Sequence, residues 1–247
     1  MYLKPIKYKE VNQIAKEWDF ISTQRDILIK SGKDISFSEV IVPCILNQIR
    51  NCEMELVVDG GCGTGVLSSL ISDKATNVVG IDISSISIEI AKKNYADKNN
   101  LTFYNISIEE YAHTNPDCVT LCVANMVLMN ILELDFTIKS INRMLKDDGF
   151  LIFSVIHPCF WPIYWDYFNE PWFDYNKEIV IESEFSTTLC NNMGISTHVH
   201  RPLNRYIDVL HSNGFQVLEC QEPYPQTIHD NYKYSYPRFL CIKCKKQ

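Results

Sequence analysis

Residues 56–65 read LVVDGGCGTG: a short apolar run, an aspartate, then a loop made mostly of glycine. Glycine costs conformational entropy on folding, so such a cluster marks backbone that bends sharply or lets another molecule come close. The run before it, ELVVD at 55–59, is β-branched and reads as a strand. Residues 64–72 follow with apolar side chains at Val66, Leu67, Leu70 and Ile71, the spacing of a helix. Strand, bare loop and helix in that order put the loop at the carboxyl end of a strand, where open parallel sheets bind their ligands.

Outward from this unit the alternation continues. NVVGID at 77–82 reads as a second strand, and Ser84 as the N-cap of a helix with its lysines in the later turns. LTFYN at 101–105 and CVTLCVAN at 118–125 read as strands three and four. Residues 134–149 predict a helix closed by Gly149, and FLIFSVI at 150–156 a fifth strand. After position 200 come a helix closed by Gly214, the strand FQVLEC at 215–220 and a last strand in PRFLCIKCK at 237–245. Strands separated by helices imply right-handed βαβ units. The expected fold class is α/β, a Rossmann-like, mostly parallel seven-stranded sheet with helices on both faces. Residues 1–52 are expected to form an N-terminal helical cap, through EVNQIAKEWDFI at 10–21 and EVIVPCILNQIR at 39–50, and residues 53–247 the main domain. Residues 157–200 break the alternation, are rich in Trp, Tyr, Phe and Pro, and read as an irregular insertion after the fifth strand, a lid.

Composition narrows the function classes. A chain of 247 residues with 46% hydrophobic content can bury one sizeable core. Its net charge of −7 argues against nucleic acid or an anionic membrane as partner, since both call for basic surface. The longest uncharged run, 149–165, is broken by Pro158 and Pro162, and no leader is read at the start, so a cytoplasmic location is expected. The ten cysteines are scattered and read as free thiols. Cys241 and Cys244 form a lone C-x-x-C with no second ligand pair, so no metal site is expected.

The glycine spacing excludes two familiar ligand loops. From Gly61 and Gly63, the third glycine of a dinucleotide fingerprint would fall on Val66, and no Lys-Ser/Thr pair follows Gly65 as a phosphate loop requires. Asp82 ends the second strand about 20 residues on, where a carboxylate can accept hydrogen bonds from ribose hydroxyls.

With these motifs in order, the sequence resembles the class I S-adenosylmethionine-dependent methyltransferases. VVDGGCGTG matches that family's glycine motif, GIDIS its acidic strand end, VANMVLMNI the segment after its fourth strand, and INRMLKDDGFLIFSV its helix and fifth strand. The resemblance implies S-adenosylmethionine as cofactor and S-adenosylhomocysteine as product. It assigns the methionine part to the loop from Asp59 through Gly61, Cys62 and Gly63 to Gly65, the ribose to Asp82 and the adenine to Ile83. Ser107 stands where aspartate is usual, with Ile108 beside it, and Asn125 lies near the amino-acid end of the cofactor.

The acceptor is expected at the insertion. HPCF at 157–160 and HRPLNRYIDVLHSNGF at 200–215 resemble a bacterial subgroup that methylates an N or O nucleophile of a small molecule or peptide natural product. His157 is a candidate general base, or else a turn histidine before Pro158; His200 is a second candidate. Trp161, Trp165, Asp166 and Trp172 mix aromatic faces with a carboxylate, which suits an apolar or cationic guest, and Trp18 and Phe20 would close the site from the N-terminal side. A protein that binds the cofactor without turnover is the alternative, since the glycine loop and Asp82 serve binding in either case. Oligomeric state stays open.

Overall fold

The computed structural model describes residues 2–187, 190, 193–225 and 236–247. The chain opens with strand β1 (Leu3–Ile6), helix α1 (Val11–Lys30), a wide helical turn over Ser36–Ile41 and α2 (Val42–Gln48). Then follow β2 (Leu56–Gly60), α3 (Val66–Ser72), β3 (Asn77–Asp82), α4 (Ser85–Asn94), β4 (Leu101–Asn105), α5 (Ile108–Thr114), β5 (Val119–Asn125), α6 (Leu134–Met144) and β6 (Leu145–Ile156). The remainder comprises α7 (Trp161–Tyr164), β7 (Ile179–Glu184), β8 (Ile195–His200), α8 (Leu203–Ser212), β9 (Phe215–Gln221) and β10 (Phe239–Lys246).

Seven strands form the large sheet in the order β4-β3-β2-β5-β6-β10-β9. The pairs among β2 to β6 are parallel, and β10 runs antiparallel between β6 and β9. The central strands are apolar on both faces, as burial under helices on both sides demands: β5 is buried from Val119 to Ala124. One face packs against Ile108, Ile138, Ile141 and Tyr206 of α5, α6 and α8. The other packs against Ile45, Leu67 and Ile88 of α2, α3 and α4. Because β3 lies to one side of β2 and β5 to the other, the strand order reverses there and a crevice opens at their carboxyl ends.

Three expectations are corrected. The N-terminal stretch is not wholly helical, because β1 pairs with β7, Leu3 opposite Ser183, and Pro5 is tolerated since β1 is an edge strand. The insertion is not irregular throughout: β1, β7 and β8 make a three-stranded antiparallel sheet. The helix expected to run to Gly149 ends at Met144, since Leu145 is drawn into the ladder beside Val119 with its side chain fully buried. Gly214, with φ +75°, does follow α8 in the left-handed conformation, and Ser84 caps α4 by accepting from the Ser87 N–H at 3.1 Å. All ten cysteines are free thiols. Among the described residues no helix is long and apolar enough to cross a membrane, and no cluster of side chains could hold a metal ion.

Candidate functional site

The crevice deepens into a cavity of about 1040 Å³, at the upper end of the usual range for ligand sites. Its floor is the carboxyl edge of the large sheet. Asp82 at the end of β3 accepts the Gly63 N–H on Oδ2 and the Ser84 N–H on Oδ1, each at 2.8 Å. These bonds fix the carboxylate and oppose the effect of burial, which raises its pKa. Each carboxylate oxygen keeps a second lone pair, so Asp82 can still accept two hydroxyls.

Asp59 on β2 is almost wholly buried. Its Oδ2 accepts from Ser68 Oγ at 2.5 Å, while Oδ1 has no partner among the described residues. Burial pushes this carboxyl up to about 7, partly offset by Ser68. An orphaned acceptor in the wall of a cavity matches a cation or an N–H donor supplied by a ligand.

The glycines divide by role. At Gly63, with φ +53°, an added Cβ would meet nothing within 4 Å, so this position borders open space. At Gly61, with φ +71°, an added Cβ would lie 2.2 Å from Val127 Cγ2, so that glycine admits the loop after β5. Gly65 is packed against Phe103 and does not line the cavity. Cys62, Gly61, Gly63, Ile83, Ile108 and Asn125 all do. Ser107 lines it too, but its hydroxyl is engaged as the N-cap of α5, accepting from the Glu110 N–H at 3.1 Å. Asn125 Oδ1 accepts from Ser154 Oγ at 2.7 Å, and Met126 after it sits at φ +58°, a strained conformation for a non-glycine residue at a cavity edge.

Helix α1 roofs the cofactor end. Asp19 Oδ1 accepts from Ser84 Oγ at 2.7 Å and from the Ile86 N–H at 3.1 Å, which ties α1 to the start of α4. Trp18 thereby faces the cavity. Phe20 does not: it is 76% exposed. Arg25 and Asp34, a pair at 3.0 Å, also line the wall, and nothing in the local sequence singled them out.

Residues of α7 and of the small sheet complete the lining. The Trp161 ring lies 5.4 Å from Tyr164 and 5.5 Å from Trp165, and all three line the cavity. His157 does not. It is buried at the end of β6, its Nδ1 accepting from the Cys159 N–H at 3.2 Å and its Nε2 2.9 Å from Glu222 Oε1. Burial lowers its pKa and Glu222 opposes that, so the geometry is that of a turn histidine with both nitrogens occupied. Asp166, Trp172 and His200 are likewise absent from the wall. Trp172 stacks on Tyr167, and His200 packs 4.8 Å from the Phe173 ring while donating from Nε2 to the Tyr175 carbonyl at 3.1 Å.

Two residues on and just after β8 were missed in the sequence. His198, two positions before His200 on the same face of β8, lines the cavity with Nε2 buried and unpartnered among the described residues. Burial, and secondarily His200, push it down to about 4. Arg201, fully buried, donates to the carbonyls of Leu128, Ile131 and Leu132 and to Glu178, fastening the small sheet to the loop after β5. Alternation of polar residues in ISTHVH was the available signal for His198.

The residues present therefore fit the cofactor that the glycine loop suggested: an orphaned carboxylate oxygen, a bare glycine and a ribose-type aspartate share one end of the cavity. A family model described as a methyltransferase domain matches residues 53–222. A Listeria monocytogenes protein assigned as an S-adenosylmethionine dependent methyltransferase is 26% identical, with a TM-score of 0.68 over 83% of this chain and 98% of that one. The Burkholderia thailandensis 1,6-didemethyltoxoflavin-N1-methyltransferase, solved with S-adenosylhomocysteine, shares the fold at 12% identity and a TM-score of 0.62, over 99% of this chain and 94% of that one. A ubiquinone biosynthesis O-methyltransferase of Hydrogenovibrio crunogenus is 25% identical across 62% of this chain and 61% of its own length. The chain spans between about two fifths and three fifths of the length of the curated relatives it first matches. With the family model covering well over half of its length, the chain belongs to the class I S-adenosylmethionine-dependent methyltransferases.

Proposed function

We propose that the protein transfers a methyl group from S-adenosylmethionine to an oxygen or nitrogen nucleophile of a small molecule or of a peptide natural product. The observation that carries this reading is the pairing, in one cavity, of a cofactor end holding Asp59, Gly63 and Asp82 with an aromatic cluster of Trp161, Tyr164 and Trp165. When bound, the cofactor supplies an electrophilic methyl group on a sulfonium. Asp82 would accept the ribose hydroxyls, and Asp59 Oδ1 would face the ammonium group. Gly63 leaves room for the methionine chain, and Ile83 and Ile108 would flank the adenine.

Displacement at a sulfonium asks for alignment and for a site from which water is excluded. Trp161, Tyr164 and Trp165 at α7, with Phe185 just after β7, would provide both by closing over the acceptor, which makes residues 157–200 a lid in function. His157, engaged at both nitrogens, contributes by holding the turn after β6 and not by taking a proton. Calorimetric titration with S-adenosylhomocysteine tests the cofactor half of the proposal, and transfer of a labelled methyl group into a metabolite extract tests turnover. No binding would overturn the reading. Binding without label transfer into any metabolite would favour a cofactor-binding protein instead.

A further inference from the structure

Folding brings Cys44 of α2 and Cys241 of β10 together, and neither lines the cofactor cavity. Alternate residues of a strand share a face, and on β10 the face that carries Cys241 is the one α2 covers. Phe239 belongs to the same apolar cluster as Ile41 and Ile45, and Lys243 Nζ donates to the Gln48 carbonyl at 2.8 Å. Gln221 of β9 stands directly opposite Cys241 in the sheet, so its side chain lies on that same face. Its Oε1 accepts from Cys44 Sγ at 3.2 Å. The Cys241 thiol in turn hydrogen-bonds to the Cys44 sulfur. The two sulfurs differ in access. Cys241 is fully buried, whereas Cys44 borders a second cavity of about 620 Å³, together with Val40, Pro43, Asn47 and Gln221. An oxidant the size of water therefore meets Cys44 first. The bond from Cys241 lowers the Cys44 pKa, and the same bond with burial raises that of Cys241. Because the thiolate is the nucleophile, the reachable sulfur is also the more reactive one.

We infer that Cys44 and Cys241 form a reversible oxidation site, at which hydrogen peroxide converts the thiol pair into a disulfide that pins α2 to β10. The Cys44 thiolate attacks one peroxide oxygen, the O–O bond breaks, and hydroxide leaves with the proton that Cys44 gave up, as water. Cys241 then attacks the sulfenic sulfur of Cys44, and its own proton departs with the sulfenic oxygen as a second water. Two thiols are oxidised and one peroxide is reduced to two waters. The bridge reaches the cofactor cavity through the segments it joins. Ile41 lies one helical turn before Cys44, and Phe239 is the next residue before Cys241 on its face of β10; with Phe37 they line that cavity. Fixing α2 on the sheet restrains the wide turn over Ser36–Ile41 that supplies this part of the wall. Methyl transfer uses neither thiol, so the site stands independently of that reading.

The test treats the folded full chain with hydrogen peroxide, blocks the remaining thiols by alkylation, and maps peptides by mass spectrometry without reduction. The main oxidised product is expected to be a peptide pair linked through Cys44 and Cys241, lost again after dithiothreitol. Amide hydrogen exchange across residues 36–48 should be several-fold slower in the bridged protein than in the reduced one, and dithiothreitol should restore it. In Cys241→Ala the sulfenic acid of Cys44 has no thiol to resolve it and should be captured by dimedone. In Cys44→Ala the same treatment should leave Cys241 reduced. The wild-type measurements decide the matter even if either variant does not fold. Absence of the linked pair overturns the inference, as does a bridge from Cys44 to Cys52 or Cys220 in its place. Unchanged exchange across residues 36–48 in the bridged protein also overturns it, because the disulfide would then pin nothing.

Discussion

One cavity is bounded by two walls of different origin. Asp59 and Asp82, on the wall formed by β2 and β3, belong to a single βαβ unit, and their geometry is set by a glycine loop and two backbone N–H bonds. His198, which also lines the cavity, gets its place from β8 pairing with β7, and β7 with β1 at the far end of the chain. The first wall is a local motif on a deep core; the second is a small sheet held by long-range pairings. The cofactor end can thus be shared across a family while the acceptor end is free to diverge, because only the first wall has to keep a fixed spacing.

If the second wall is held as a separate unit, its anchor should matter for stability more than for cofactor binding. Arg201 is that anchor: its guanidinium is buried and bound to three carbonyls and to Glu178. Arg201→Met should strand those carbonyls and cost about 3 to 5 kcal/mol, since each buried acceptor left unsatisfied costs about 1 to 3 kcal/mol. Denaturant unfolding measures it, and calorimetry with S-adenosylhomocysteine should find affinity within a few-fold of wild type. A loss below about 1 kcal/mol, the level of an exposed pair, would show that the sheet does not depend on this clamp.

On the first wall the corresponding substitution is Asp82→Ala. It removes an acceptor already bonded to two N–H groups and, in the complex, to hydroxyls. S-adenosylhomocysteine affinity should fall by about 1.5 to 3 kcal/mol, as for hydrogen bonds to a charged group. Equal affinity in both proteins would remove Asp82 from the cofactor site and blur the contrast between the walls.

The same contrast governs what could be read in the sequence. The seven strands, the glycine loop and Asp82 were legible because their signals are local: β-branched runs, turn glycines and an acid at a strand end. β1 was not legible, since Lys4 and Pro5 interrupt its four residues and its partner lies across the whole chain. β7 and β8 were hidden by the same cause, and with them the face that brings His198 to the cavity. His157 was a reasonable candidate from its place at the end of a parallel strand. Only coordinates show Glu222 and the Cys159 N–H occupying its two nitrogens. The helix boundary near Met144 failed for another reason: a long apolar and basic run is compatible with helix until Leu145 finds a ladder partner.

The smallest effect is also the most specific to the first wall. Asp59, with no cation beside it among the described residues, has its carboxyl raised to about 7 by burial, so near neutral pH it is only partly ionised in the free protein. A ligand ammonium at Oδ1 would favour the charged form and lower that pKa. The sign of the linkage follows. Below about pH 7 the free protein must give up a proton to bind, so affinity falls as the pH falls, and it is fully expressed above that value. Between pH 7.5 and pH 6 the affinity for S-adenosylhomocysteine should weaken roughly tenfold, about 1.4 kcal/mol. Calorimetry at pH 6 in buffers of different ionisation enthalpy should register release of nearly one proton per molecule bound. His198, held near 4, stays neutral across this window and adds nothing to it. Folding stability should respond in the opposite sense at this residue. A carboxyl raised in the folded state stabilises fully below its unfolded pKa of about 4 and loses that contribution as pH rises through 7, so Asp59→Asn should be the more stable protein at pH 8 while binding the cofactor poorly. A pH-independent affinity with no proton release would mean that the ammonium group lies elsewhere, and Asp59 would then be a carboxylate of the loop's own packing with Ser68.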